Sequence, residues 1–192
     1  MLFTTLTTLA LVATVQAVGR AIVSNLCDAP VYLWSVGSSI STQHVIPRDS
    51  SYSEVFHHDP ISGGIAIKMT ASENGLFNPN VSQTIFAYNL DGGTIWYDMS
   101  DLFGDGFLGR RMYVKPSVTS CPEIAWPFGK LPSGEGSQVR HCTAETDLTL
   151  TFCTDNCLPS WSMCGDSVPN DHRSCCTHCI GSHHCVAVPS WA

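Results

Sequence analysis

The sequence predicts an all-β protein of the sandwich or barrel type, and three observations carry that prediction. Short runs rich in β-branched and aromatic residues recur along the chain, each bounded by Gly, Pro, Asn, Asp or Ser. The clearest of them alternate apolar and polar residues with period two, the mark of a half-buried strand. No stretch holds the 3.6-residue periodicity of a long amphipathic helix.

In chain order the predicted strands are "RAIVSNL", "PVYLWSV", "YSEVF", "GIAIKMT", "TIFAYNL", "TIWYD", "MYVKP" and "DLTLTF". In the last, Leu148, Leu150 and Phe152 share one face, and Asp147, Thr149 and Thr151 the other. "TIFAYNL" and "TIWYD" form a hairpin around Asp91-Gly92-Gly93, where glycine adopts positive φ at little cost. The outgoing strand opens "TIWYDMSDLFGDGF", in which Asp98, Asp101 and Asp105 stand among Trp96, Tyr97, Phe103 and Phe107. Carboxylates beside aromatic rings suit a saccharide site. The same residues also suit a turn whose aspartates accept backbone N–H bonds.

The first 17 residues carry no charged side chain and end in Val15-Gln16-Ala17. They read as a secretory signal peptide, which puts the mature start at Val18. No later segment reaches the ~18 consecutive apolar residues that span a bilayer, so no membrane insertion is expected. The C-terminal "VAVPSWA" is too short for a lipid-anchor signal. The expectation is a secreted protein, extracellular or held in a wall. A formal net charge of -7 and the lack of any basic run argue against nucleic acid as a partner.

Ten cysteines in an oxidising compartment imply five disulfides, and count alone leaves on the order of nine hundred pairings open. Their distribution divides the chain near Thr154. Residues 18–153 hold Cys27, Cys121, Cys142 and Cys153; residues 154–192 hold Cys157, Cys164, Cys175, Cys176, Cys179 and Cys185. The division is thus signal peptide 1–17, sandwich 18–153 and cysteine/histidine-rich tail 154–192. In "HRSCCTHCIGSHHC" a single Cys-x-x-Cys favours bridges over a thiolate metal site. His178, His183 and His184 remain as weak metal candidates, and no cofactor is expected. Asn80-Val81-Ser82 is a glycosylation sequon in a turn-rich stretch. No Gly-x-Ser-x-Gly or His-Glu-x-x-His motif occurs. His57-His58 beside Asp59 read as exposed loop residues rather than a proton relay, since adjacent strand residues point to opposite faces.

Several separated segments resemble one family. "AIVSNLCDAPVYLWSVG" is similar to the opening of thaumatin-like proteins, and "TIWYDMSDLFGDGF" to their Tyr-Asp-Val-Ser…Asp-Gly-Phe signature. With "SYSEVF", "DPISGGIAIKMT", "IFAYNLDGGTIWYDMSDLFGD" and "DLTLTFC", residues 18–153 resemble the Blastomyces yeast-phase-specific family of fungi, a smaller relative of thaumatin-like proteins. The resemblance implies a small thaumatin-like antiparallel β-sandwich, here with a disulfide-rich extension. It also implies the pairs Cys27–Cys153 and Cys121–Cys142, with the tail's six cysteines paired among themselves.

In thaumatin-like proteins an Arg, a Glu and three Asp line an acidic cleft that can bind β-1,3-glucan, and a minority cleave it. The first signature Asp falls on Asp98 and the Asp of Asp-Gly-Phe on Asp105. Lys68 takes the place of the Arg without its bidentate fork. Ala87 stands where the Glu would be, and the third Asp has no matched position. Glycoside hydrolysis needs two carboxyl groups about 5–9.5 Å apart across the scissile bond, and alanine supplies none. Glu54 and Glu123 are carboxylates that no motif brings there. The expected ligand-binding set is Lys68, Tyr97, Asp98, Asp101 and Asp105. The expected function is non-catalytic binding of a cell-wall polysaccharide such as β-glucan, or of a host surface protein as an effector. The alternatives are a weak endo-β-1,3-glucanase and an extracellular metal-binding protein acting through the tail.

Overall fold

A computed structural model describes residues 17–154, together with two short strands at 178–180 and 184–186. The expected signal peptide up to residue 16, Cys157, Cys164, Cys175, Cys176 and His183 lie outside the described residues.

Eleven strands form two stacked sheets. They are β1 (Arg20–Asn25), β2 (Val31–Val36), β3 (His44–Ile46), β4 (Ser50–Val55), β5 (Ile65–Thr70), β6 (Gln83–Asp91), β7 (Thr94–Leu102), β8 (Met112–Pro116), β9 (Ile124–Trp126), β10 (Arg140–Thr143) and β11 (Leu148–Phe152). One sheet has the order β4-β1-β11-β8-β9, the other β10-β7-β6-β5-β2-β3. A separate hairpin, β12 (His178–Ile180) with β13 (His184–Val186), sets Cys179 opposite Cys185. No α-helix occurs among the described residues.

Alternation explains the packing. Leu148, Leu150 and Phe152 are fully buried between the sheets, as the period-two pattern of β11 requires. Ala21 and Val23 of β1 join them, with Met112 and Val114 of β8. The six-stranded sheet contributes Leu33, Ile67, Met69, Phe86, Tyr88, Ile95, Tyr97 and Met99 to the same core. Burying side chains of this size from two facing sheets is the main stabilising term of such a fold.

Three strands escaped the sequence pattern. β3 and β9 have three residues each and β10 has four, too few to display a period. β7 runs on to Leu102, beyond the predicted "TIWYD", so Asp98 and Asp101 both lie within a strand. The turn follows it, with Phe103 at φ 61° and Gly104 at φ 101°.

The pairs are antiparallel with one exception: β1 lies parallel to β11, Asn25 opposite Phe152. Parallel strands bring their C-terminal ends together. Cys27 and Cys153 follow those ends and are bonded to each other. A second bridge, Cys121–Cys142, ties the approach to β9 in one sheet to β10 in the other. The Asn25 side chain, fully buried, holds the β1–β2 turn. Its amide donates to the Ala29 and Ile46 carbonyls at 2.9 and 2.8 Å, and its oxygen accepts from the Cys27 N–H at 2.8 Å. Gly129, at φ 69°, lets the loop after β9 lie against the 107–110 turn. A Cβ there would sit 1.9 Å from the Phe107 carbonyl oxygen.

Candidate functional site

Antiparallel register decides which residues of β5, β6 and β7 share a face. Phe86 opposes Met99 and Tyr88 opposes Tyr97, all toward the core. The alternate residues form the outer face of the six-stranded sheet. One row there runs across four strands as Asp98–Ala87–Ala66–Val36. On one side of it stand His141, Trp96 and Asn89; on the other, Ser100, Ile85, Lys68 and Trp34. Two alanines between taller neighbours make a trough. The resulting depression holds about 480 Å³, a size that suits a small-molecule or sugar-unit ligand.

The far wall comes from the loops around Gly37, Ser62 and Gly64. Asp59 fixes both. Its Oδ2 accepts from the Ser38 N–H and hydroxyl at 2.8 and 2.7 Å, and its Oδ1 from the Ile61 and Ser62 N–H groups at 2.9 Å. These bonds, the Ser38 N–H foremost, hold the Asp59 carboxyl far below the usual carboxylate range. Asp59 thus organises loops, and His57 and His58 beside it are exposed. His57 Nδ1 lies 3.1 Å from the Tyr88 hydroxyl, away from Asp59.

Trp96 is 41% exposed, so a ligand can reach it, and its ring rests against His141 with centroids 4.8 Å apart. Asp98 projects from the same strand face two residues on. Its carboxylate is half-buried and has no hydrogen-bond or ion-pair partner among the described residues. Burial raises its pKa. Among the described residues no lysine or arginine lines the depression, and Asp98 is its one charged side chain.

The five expected ligand-binding residues do not converge. Asp98 faces the depression. Lys68 lies in the adjacent row, two strands from Asp98, outside the lining. Tyr97 borders the depression beside Asp98, but its side chain is buried in the core, where its hydroxyl donates to the Pro122 carbonyl. Asp101 is opposite Thr84 on the core-facing side, three residues after Asp98 and so on the other face of the sheet. Its carboxylate accepts from the Thr84 hydroxyl at 2.6 Å, and the second oxygen is buried without a partner. Burial, with Asp105 adding to it, pushes Asp101 up to about 6. Asp105 is exposed in the turn beside it. The other carboxylates do not reach the trough either. Glu54 accepts from the Tyr52 and Tyr88 hydroxyls, each at 2.6 Å, and Glu123 is exposed. Asn80 is exposed in the turn before β6.

Sequence reasoning passed over Asn89, His141 and Ala66, and named Ala87 only for the acid it lacks. Trough and platform exist only through cross-strand register. The alternation in "TIFAYNL" and "TIWYD" does carry part of that signal, because it puts Ala87, Asn89, Trp96 and Asp98 on the faces opposite the core.

The family model described as Bys1, Blastomyces yeast-phase-specific protein, matches residues 8–154. The chain is 30% identical over 143 residues to the "Antigenic thaumatin-like protein" of Arthroderma benhamiae, covering 70% of this chain and 71% of that one. It is 29% identical over 147 residues to the "Secreted thaumatin-like protein calA" of Emericella nidulans, covering 72% and 82%. Among solved structures, the protein elicitor MoHrip2 from Magnaporthe oryzae superposes with a TM-score of 0.57 at 19% identity, over 71% of this chain and 99% of the other, which shows a shared fold. The two sheets, the stapled ends and the matched segments agree: the chain belongs to the Blastomyces yeast-phase-specific protein family and has the thaumatin-like fold.

Proposed function

We propose that this is an extracellular, non-catalytic binding protein that holds a wall polysaccharide on the outer face of its six-stranded sheet. The observation that carries the proposal is the content of the depression: a reachable indole, an amide from Asn89, a floor of small residues and a single carboxylate. An indole face packs against the C–H face of a pyranose, and the polar groups fix its hydroxyls. Cleavage asks for a second carboxyl group across the bond, and Ala87 stands opposite Asp98. The names of two relatives, one secreted and one antigenic, support action outside the cell.

Co-sedimentation with insoluble β-1,3-glucan, with reducing ends measured in the same tubes, tests this directly. Retention that falls at least tenfold in Trp96→Ala, with no reducing ends above a protein-free control, is the expected result. Steady release of reducing ends that disappears in Asp98→Asn would make the protein a glucanase instead. Retention unchanged in Trp96→Ala would remove the depression as the site.

A further inference from the structure

The depression combines an aromatic platform with a carboxylate that no side chain among the described residues neutralises. We propose that it takes a protonated amino sugar, with the ammonium against Asp98 and the pyranose face on Trp96. This inference rests on the saccharide reading of the site and narrows it to cationic saccharides, of which a polymer of glucosamine is the simplest.

Spacing comes first. Trp96 and Asp98 are two residues apart on one face of β7, hence about 7 Å apart along the strand. That separation lets one sugar ring lie on the indole while its amino substituent reaches the carboxylate. The small side chains of Ala87 and Ala66 leave the space between them open.

Charge comes second. Covering a half-buried carboxylate with a ligand strips its remaining water, which is costly unless the ligand returns an equivalent bond. A neutral sugar returns a hydroxyl. An ammonium returns a hydrogen bond together with the Coulomb attraction of a full opposite charge, which a hydroxyl lacks. Lys68 stands in the next row of this face and does not line the depression. At pH 7, with its histidines neutral, the chain's formal net charge of -7 also favours approach of a polycation. A lysine side chain of a basic peptide could meet Asp98 as well, but it brings no saturated ring for the platform.

The experiment is calorimetric titration of the full secreted chain at mildly acidic pH. The ligands are a glucosamine oligomer, its fully N-acetylated counterpart, a β-1,3-glucan oligomer of equal length, and oligolysine. The expected result is a glucosamine oligomer at least tenfold tighter than the two neutral sugars. That preference should vanish in Asp98→Asn and persist in Glu145→Gln, an exposed acid remote from the trough in the loop after β10. Trp96→Ala should weaken every saccharide. Equal affinity for charged and neutral sugars would overturn the amino-sugar assignment and leave saccharide binding intact. Oligolysine matching the glucosamine oligomer would overturn it in favour of a basic peptide. A preference that survives in Asp98→Asn would assign it to net charge alone. No saccharide binding at all would overturn this inference together with the function it rests on.

Discussion

Removing either disulfide separates two accounts of what holds the sandwich together. Cys27–Cys153 closes a loop with a sequence separation of 126, and Cys121–Cys142 one of 21. In the chain-entropy model such loops stabilise by about 4.9 and about 3.3 kcal/mol, because each bridge restricts the unfolded chain. The gap, about 1.6 kcal/mol, depends only on the ratio of loop lengths. Double variants, Cys27→Ala with Cys153→Ala and Cys121→Ala with Cys142→Ala, leave no odd thiol to exchange with the tail. Urea unfolding followed by tryptophan fluorescence reads the loss, since Trp34 and Trp126 are buried and report on both sheets. The longer loop should cost more, with a fall in Tm of roughly 10–20 °C for a chain of this size. Equal losses, or a greater loss from the shorter loop, would refute the entropic reasoning and move the contribution of these bridges into native packing.

Three further outcomes follow from particular residues. Asp101, pushed up to about 6 by burial, binds a proton more tightly folded than unfolded, so stability falls as pH rises from about 4 to about 6. Asp101→Asn should flatten that fall and add about 1 kcal/mol at neutral pH, water screening of the partly exposed group limiting the effect; thermal melts across the window check it. Asp59 is the opposite case: its carboxyl is depressed by four hydrogen bonds, so it stabilises above about pH 4 and that stabilisation is lost on acidification, a dependence that Asp59→Asn should remove in the same melts. Gly129→Ala should cost about 2–4 kcal/mol in urea unfolding, since a Cβ there meets the Phe107 carbonyl at positive φ; no change in midpoint would mean the 107–110 turn gives way freely.

The sheets were legible to the extent that their strands were long enough to show a period. β11 reads from sequence because five residues alternate cleanly, and β6–β7 because Gly92-Gly93 marks the turn between them. β9 gives no such signal: Ile-Ala-Trp is a three-residue run between Glu123 and Pro127, and its place is fixed by Trp126 packing in the core and donating to Gln138 at 2.7 Å. The candidate site was legible as residues but not as geometry. Asp98, Asp101 and Asp105 look like one acidic group in the sequence. The extension of β7 through Leu102 sends Asp98 and Asp101 to opposite faces, and only the length of that strand decides it. The hairpin register then sets Ala87 against Asp98 and Asn89 against Trp96, a relation between strands that no single run contains.

The parallel pairing of β1 with β11 has a consequence for biosynthesis. Synthesis runs from N- to C-terminus, so β1 is made well before β11, the last strand of the sandwich. β4 can pair with one edge of β1 early, in antiparallel register. The other edge keeps its backbone groups open until residues 148–152 emerge, with nearly all of the remaining strands already made. Contacts of such sequence separation form late, and an unpaired edge is adhesive while it waits. Cys27 carries its thiol through the same interval, since Cys153 comes after β11, whereas Cys121 meets Cys142 as soon as 21 further positions have passed. The short loop is therefore the first whose two cysteines are both available to close it. Until the long loop follows, Cys27 stays open to a wrong partner for longer than Cys121 does.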